Sequence, residues 1–125
     1  MIITDTLSNL FSKINNGYLA NKSKITHQKS KQIINILTIF IKEGFIKSYK
    51  INSTQLDIYL KYRQHKPAIK ELKRLSKPGR RLYITNKDLY KKKKGIYILS
   101  TSLGIITDLQ AKQLNVSGEL ICMIF

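Results

Sequence analysis

The 125-residue chain has one cysteine, Cys122. One thiol closes no internal disulfide, so packing alone must hold the fold. Its apolar neighbours mark it as a small buried hydrophobe in a reducing compartment. Acidic residues are also scarce. Seven Asp and Glu stand against 23 Lys and Arg, for a formal net charge of +16. Self-repulsion on that scale implies a polyanionic partner, nucleic acid before an anionic membrane. Long apolar runs are missing too. The longest, residues 33–41, is interrupted by Asn35 and Thr38 and falls far short of the roughly 20 residues a membrane span needs. No helical pattern sets lysines opposite a clean apolar face, which argues against a membrane surface. The N-terminus has no basic stretch followed by an apolar one, so no secretory signal is expected. Asp5 comes early and arginine is absent from the first 62 residues, which does not suit a transit peptide.

Catalytic groupings are equally thin. His27 and His65 lie far apart, each beside basic residues, and make no metal-ligand spacing with Cys122. No glycine-rich phosphate loop of the Walker or dinucleotide type occurs. Ser102, His65 and Asp108 could be assembled into a triad only on paper, since no spacing supports it. The expectation is a protein without enzymatic activity, cofactor, metal or small-molecule substrate.

What is present is apolar enough to fold. The hydrophobic share is 42 %, which excludes a disordered basic tail. Isoleucine is abundant and lysine outnumbers arginine 19 to 4. Ile, Lys, Asn and Tyr share A/T-rich codons, so the composition suggests an AT-rich genome such as an organelle's, with the protein made in that organelle.

Periodicity predicts an α+β fold in two small lobes, residues 1–66 and 67–125. Ile3, Leu7, Leu10, Phe11 and Ile14 follow helical spacing, with Thr4 or Asp5 as cap and Asn16-Gly17 as stop. A short strand at Ile25-Thr26 follows. Ser30 caps a second helix that runs to Glu43 and ends at Gly44, its apolar stripe centred on Ile33, Ile34, Leu37 and Ile41. Residues 45–51 and 56–63 read as a hairpin about Asn52-Ser53-Thr54, and Gln64-His65-Lys66-Pro67 as the break between lobes. The first lobe is thus α-β-α-β-β.

The second lobe reads as mostly antiparallel β with a short helix. Residues 68–75 are extended, Ser76-Lys77-Pro78-Gly79 is a turn, and Leu82-Tyr83-Ile84 a brief strand after Arg80-Arg81. Asn86 to Leu89 has the pattern of one helical turn. The four lysines from Lys91 and Lys92 to Lys94 precede an apolar strand ending at Leu99. Then comes the hydroxyl-rich loop Ser100-Thr101-Ser102-Leu103-Gly104. Thr107 and Gln110 form a capping box for a helix ending near Asn115, and a last strand begins at Glu119. Hydroxyls donate and accept, and a glycine admits close approach of a partner. If the Leu82 strand, the loop and the last strand are neighbours, Tyr83, Arg80, Arg81, Glu119 and the hydroxyls converge. Short hydroxyl side chains suit the wide, shallow minor groove of A-form RNA, and a tyrosine can stack on a base or sugar.

The same residues carry a resemblance. Ser100-Thr101-Ser102-Leu103-Gly104-Ile105-Ile106-Thr107-Asp108, Ala111 and Gly118-Glu119-Leu120-Ile121-Cys122 are similar to the C-terminal signature of bacterial-type small-subunit ribosomal protein number eight. Lys13-Ile14-Asn15-Asn16-Gly17, Ala20-Asn21-Lys22, Ser30-Lys31, Glu43-Gly44-Phe45-Ile46, Leu60-Lys61-Tyr62 and the Ser76-to-Tyr83 stretch agree in order, over nearly the whole chain. The resemblance implies direct binding to the central domain of small-subunit rRNA, a role in subunit assembly, and neighbouring small-subunit proteins as further partners. It places the main RNA site at Ser100, Thr101, Ser102, Gly104, Tyr83 and Glu119. Lys77, Arg80, Arg81, Lys91 and Lys92 add charge. First-lobe contacts are implied at Asn15, Asn16, Gly17, Ser30 and Lys31. Four stretches depart from the family pattern, the first being the glycine-rich turn before the Ile96 strand, which is shortened and replaced by Lys91 to Lys94. Leu103 stands where a basic residue is usual, Ser117 replaces the first of two glycines, and His27-Gln28-Lys29 replaces a more apolar segment containing proline. A mitochondrial small subunit is the expected setting and a plastid one the alternative. The competing function is a general basic RNA- or DNA-binding module outside the ribosome.

Overall fold

The computed structural model describes residues 6–75, 83–84 and 95–125. They form two compact units, Thr6–Lys70 and Glu71–Phe125. Both are α+β with antiparallel sheets.

In the first unit, helix α1 (Thr6–Leu19) is followed by β1 (Lys24–Gln28), α2 (Lys31–Lys42), β2 (Ile46–Asn52) and β3 (Gln55–Leu60). The sheet order is β1-β3-β2. The i, i+3, i+4 spacing of Leu7, Leu10, Phe11 and Ile14 buries one face of α1, and burial extends one turn further to Tyr18. The helix therefore runs past the expected stop at Asn16-Gly17. Gly17 serves packing rather than termination: a Cβ there would lie 2.8 Å from Ile25 Cγ2 and 2.9 Å from Leu60 Cδ1. Glycine lets α1 approach the sheet at that turn.

Ser30 caps α2 as expected, its Oγ accepting from the Ile33 N–H at 3.2 Å. The buried stripe is Ile33, Ile36, Leu37 and Phe40, so its centre is rotated from the expected one and Ile34 and Ile41 flank it. The helix ends in a Schellman motif. Gly44 has φ +82°, its N–H donates to Ile41 O (3.1 Å), and the Phe45 N–H donates to Phe40 O (2.8 Å). The Phe40 and Phe45 rings then meet edge-on at 6.4 Å.

Residues 56–63 do not make one strand. β3 stops at Leu60, and β4 (Tyr62–Arg63) and β5 (Lys66–Pro67) form a separate ribbon. Gln64 and His65, both at positive φ, are its two-residue turn. Tyr18 secures the junction. Its hydroxyl donates to Phe45 O at 2.6 Å and accepts from the Lys61 N–H at 3.1 Å. Burial pushes that hydroxyl's pKa up to about 12, against the Lys61 bond, with Tyr62 adding to the rise.

The second unit contains β6 (Leu72–Arg74), β7 (Tyr83–Ile84), β8 (Ile96–Thr101), β9 (Gly104–Thr107), α3 (Asp108–Leu114) and β10 (Gly118–Ile124). The extended reading of 68–75 shrinks to three residues. β10 is central, pairing with β6 and β7 along one edge and β8 along the other, and β9 lies outside β8. A bulge between Leu120 and Cys122 turns both Ile121 and Cys122 inward. The Ile121 carbonyl accepts from the Leu75 N–H (3.0 Å) and Arg74 Nη1 (3.2 Å). Burial pushes the Cys122 thiol up to about 12, with Arg74 opposing. Among the described residues no helix is long and apolar enough to cross a membrane, and no cluster of metal-ligating side chains occurs.

Candidate nucleic-acid interface

The hydroxyl segment is a hairpin, and only two of its five residues lie outside strands. Thr101 pairs with Gly104 across the turn Ser102-Leu103. Neither turn residue has a positive φ, so the chain is turned back at Gly104, with φ +111°. A Cβ on Gly104 would meet no atom within 4 Å. The glycine is there for its backbone angle, and not to clear space.

The three hydroxyls differ. Thr101 Oγ1 donates to Gly104 O at 2.9 Å and accepts from the Leu103 N–H at 3.1 Å. It ties the turn to itself, as threonine does in such turns. The Ser100 and Ser102 side chains are exposed, and their hydroxyls have no partner among the described residues. The segment thus presents two hydroxyls outward and spends one on shape. Leu103, 59 % exposed, stands at the tip beside Ser102.

Register places these groups in line. Glu119 of β10 pairs with Ser100 of β8 on one side and with the Tyr83 backbone of β7 on the other. Ser100 in turn pairs with Ile105 of β9. Directly paired residues on antiparallel strands share a face, so half-buried Glu119 stands beside exposed Ser100. The expected neighbours Tyr83, Glu119 and Ser100 are therefore brought together in one cross-strand row.

Two features hold the hairpin still. Leu99 and Ala111 are fully buried, with Tyr97, Ile106, Val116 and Leu120 packed around them. As part of the same anchorage, β9 runs directly into α3 through the capping box. Thr107 Oγ1 accepts from the Gln110 N–H (3.3 Å) while Gln110 Oε1 accepts from the Thr107 N–H (3.1 Å). The second feature is Gly118. A Cβ there would lie 2.8 Å from Thr101 Cγ2 and would collide with the Ser100 carbonyl. Gly118 lets β10 pass against the hydroxyl segment. Its role exceeds what its place in a Gly-Glu pair suggested, and the signal was the bare glycine beside an acidic strand residue. Ser117 before it is exposed with no positive φ, so serine fits there without strain.

Lys77, Arg80, Arg81, Lys91 and Lys92 lie outside the described residues. Asn15, Asn16, Gly17, Ser30 and Lys31 belong to the first unit. There Asn16 and Lys31 are exposed, Ser30 is committed to its cap and Gly17 is buried. Charge is divided as sharply. Residues 95–125 hold one lysine, Lys112, against Asp108 and Glu119, whereas residues 1–94 hold 22 Lys and Arg against five Asp and Glu. Ser100, Ser102 and Glu119 thus lie in a near-neutral stretch of a strongly basic chain.

Comparison with known proteins assigns this arrangement to a lineage. The family described as ribosomal protein S8 matches residues 5–125. The small ribosomal subunit protein uS8 of Blochmanniella pennsylvanica (strain BPEN) is 39 % identical over 130 residues, covering 99 % of each chain. That of Rhodospirillum centenum (strain ATCC 51521 / SW) is 39 % identical over 132 residues, covering 100 % of each. That of Hyphomonas neptunium (strain ATCC 15444) is 40 % identical over 131 residues, again with full coverage.

Proposed function

The chain belongs to the ribosomal protein S8 family, and on that premise we propose that it is a structural, non-catalytic constituent of the small ribosomal subunit that binds the central domain of small-subunit rRNA directly. It supports subunit assembly and translation beside neighbouring small-subunit proteins. The observation that carries this reading is the row Tyr83–Glu119–Ser100 beside the Ser102 turn, where two serine hydroxyls are left without a partner among the described residues. Exposed hydroxyls beside a carboxylate, in a near-neutral stretch of chain, suit 2′-hydroxyls and base edges in a shallow minor groove. Phosphate neutralisation supplies most of the affinity, and it comes from the cations of residues 1–94. Lys91 and Lys92 stand in for the basic residue that Leu103 replaces.

Binding to a cognate rRNA hairpin and to a scrambled one tests this. Ser102→Ala, or removal of the Glu119 carboxylate, weakens cognate binding by about 1–3 kcal/mol, while Lys92→Ala mainly lowers the salt slope. Equal wild-type affinity for the two hairpins sinks the reading in favour of a general basic module. The relatives named above are bacterial. An organellar setting, mitochondrial before plastid, rests on the 19 Lys, the four Arg and the isoleucine-rich composition. GC-rich third codon positions in the coding sequence contradict it.

A further inference from the structure

At the end of α2 the first unit gathers cations that no acid answers. A Cβ on Gly44 would lie 3.0 Å from Arg63 Nη2 and 3.7 Å from Lys61 Nζ. The two cationic heads therefore meet over the same bare stretch of backbone. Arg63 also pairs directly across the β4–β5 ribbon with Lys66, placing a third cation on that face. Like charges opposite one another weaken a ribbon, and close like charges repel. Among the described residues no carboxylate pairs with Lys61, Arg63 or Lys66, the adjacent Glu43 included.

Helix capping does not explain the cluster. The carbonyls of Ile39 and Ile41 accept from the Glu43 and Gly44 N–H groups, and that of Phe40 from the Phe45 N–H. The Schellman motif has already satisfied these last-turn acceptors. The backbone that carries Lys61 is also fixed. The Lys61 N–H donates to the Tyr18 hydroxyl, and the Lys61 carbonyl accepts from the Ala68 N–H at 3.0 Å. Gly44, held at φ +82°, brings no side chain of its own into the space beside those two heads.

We propose that Lys61 and Arg63, with Lys66 beside them, hold a backbone phosphate of the bound RNA over Gly44. A phosphate brings two non-bridging oxygens to a planar guanidinium and a point-like ammonium, and relieves their repulsion. The site rests on the RNA-binding reading above, and adds to it a contact on the first unit that uses none of the candidate residues named there.

The test uses the full chain and two measurements. The first is the slope of log affinity against log salt for wild type, K61Q/R63Q and S102A, on a cognate small-subunit rRNA fragment and a scrambled hairpin. The second is acylation of Lys61 in wild type, free and RNA-bound, read by mass spectrometry. The double variant is expected to lose about two from the slope, roughly one per cation, on both RNAs. It should bind about tenfold more weakly at low salt, and Lys61 should be protected in the complex. An unchanged slope, or a Lys61 as reactive bound as free, overturns the site. If the double variant fails to fold, protection in the wild type decides. Lack of preference for the cognate RNA refutes the specificity reading alone, since slope and protection are scored on either RNA. Absence of RNA binding overturns both.

Discussion

Gly118→Ala probes the candidate interface without touching any group proposed to meet RNA. On an ordinary strand, glycine to alanine is favourable by about 0.5–1 kcal/mol, because alanine has less backbone entropy to lose. Here the new methyl would lie 2.8 Å from Thr101 Cγ2 and 3.0 Å from the Ser100 carbonyl carbon, and would collide with that carbonyl's oxygen. Two backbone atoms cannot swing aside as a side-chain end can. Leu99, next to Ser100, is fully buried against Ala111, so β8 cannot retreat without opening that small core. Overpacking of this kind costs about 1–3 kcal/mol, and the sign of the substitution reverses. Urea denaturation followed by circular dichroism measures the stability, and hairpin binding measures the consequence. The expected outcome is a lower midpoint for Gly118→Ala, with cognate RNA binding reduced more than scrambled. Ser117→Gly, one residue away on an exposed and unstrained backbone, serves as the control and should cost only the entropy of an added glycine. A Gly118→Ala protein as stable as wild type, or more so, would refute the claim that β10 is held against the hydroxyl segment by a missing side chain.

The other hydroxyls and buried groups give distinct outcomes. Thr101→Val removes the bonds to the Gly104 carbonyl and the Leu103 N–H, and should cost about 1–2 kcal/mol of stability. Ser102→Ala should leave the denaturation midpoint unmoved, so equal stability losses in the two variants would contradict their division of roles. Tyr18→Phe strands the Phe45 carbonyl and the Lys61 N–H together, for an expected loss of about 2–3 kcal/mol read by the same denaturation. His27 is buried with neither ring nitrogen hydrogen-bonded among the described residues, and burial, with Lys13 adding, holds its pKa below the usual 6.5. The unfolded chain therefore takes up that proton first. The stability contribution is complete above about pH 6.5 and is lost as pH falls toward the lower folded value. His27→Gln should flatten the stability-against-pH curve over that interval, and an unchanged slope excludes His27 as its source.

Sequence reached the elements whose signal is local. The Ser30 cap, the Gly44 stop and the Thr107–Gln110 box each depend on residues within five positions of one another, and all are present. What sequence missed depends on distant partners. Asn16-Gly17 has the composition of a helix stop, yet Gly17 is demanded by Ile25 and Leu60 on other elements, so α1 continues to Leu19. Gln64 and His65 carry no glycine to announce a tight turn, but both take positive φ in the β4–β5 ribbon. His27 reads as one more polar residue in a basic connector. Only its alternation with Ile25 on β1 places it inside. At the candidate interface the residue types were legible, and the division of labour among them was not. Nothing in Ser-Thr-Ser tells which hydroxyl is consumed by the turn, because that depends on the Gly104 carbonyl and the Leu103 N–H folding back onto Thr101.

The separation of charge from hydroxyls along the chain has a measurable consequence. The row at Ser100, Ser102 and Glu119 lies in a segment with one lysine against two acids, while 22 of the 23 cations precede residue 95. Salt acts on phosphate contacts through counterion release, and a cation engages the phosphates of any RNA alike. A neutral hydroxyl meeting a 2′-hydroxyl or base edge releases no counterion, so its contribution should not change with ionic strength. Affinity for cognate and scrambled hairpins should therefore fall steeply and in parallel as salt rises, with equal log–log slopes, so that their ratio stays almost constant. The ratio should drop in Ser102→Ala at every salt concentration and should hold in Lys92→Ala. A ratio that decays with salt as fast as the affinities would mean that discrimination is itself made of phosphate contacts. The hydroxyl row would then have no part in choosing the RNA.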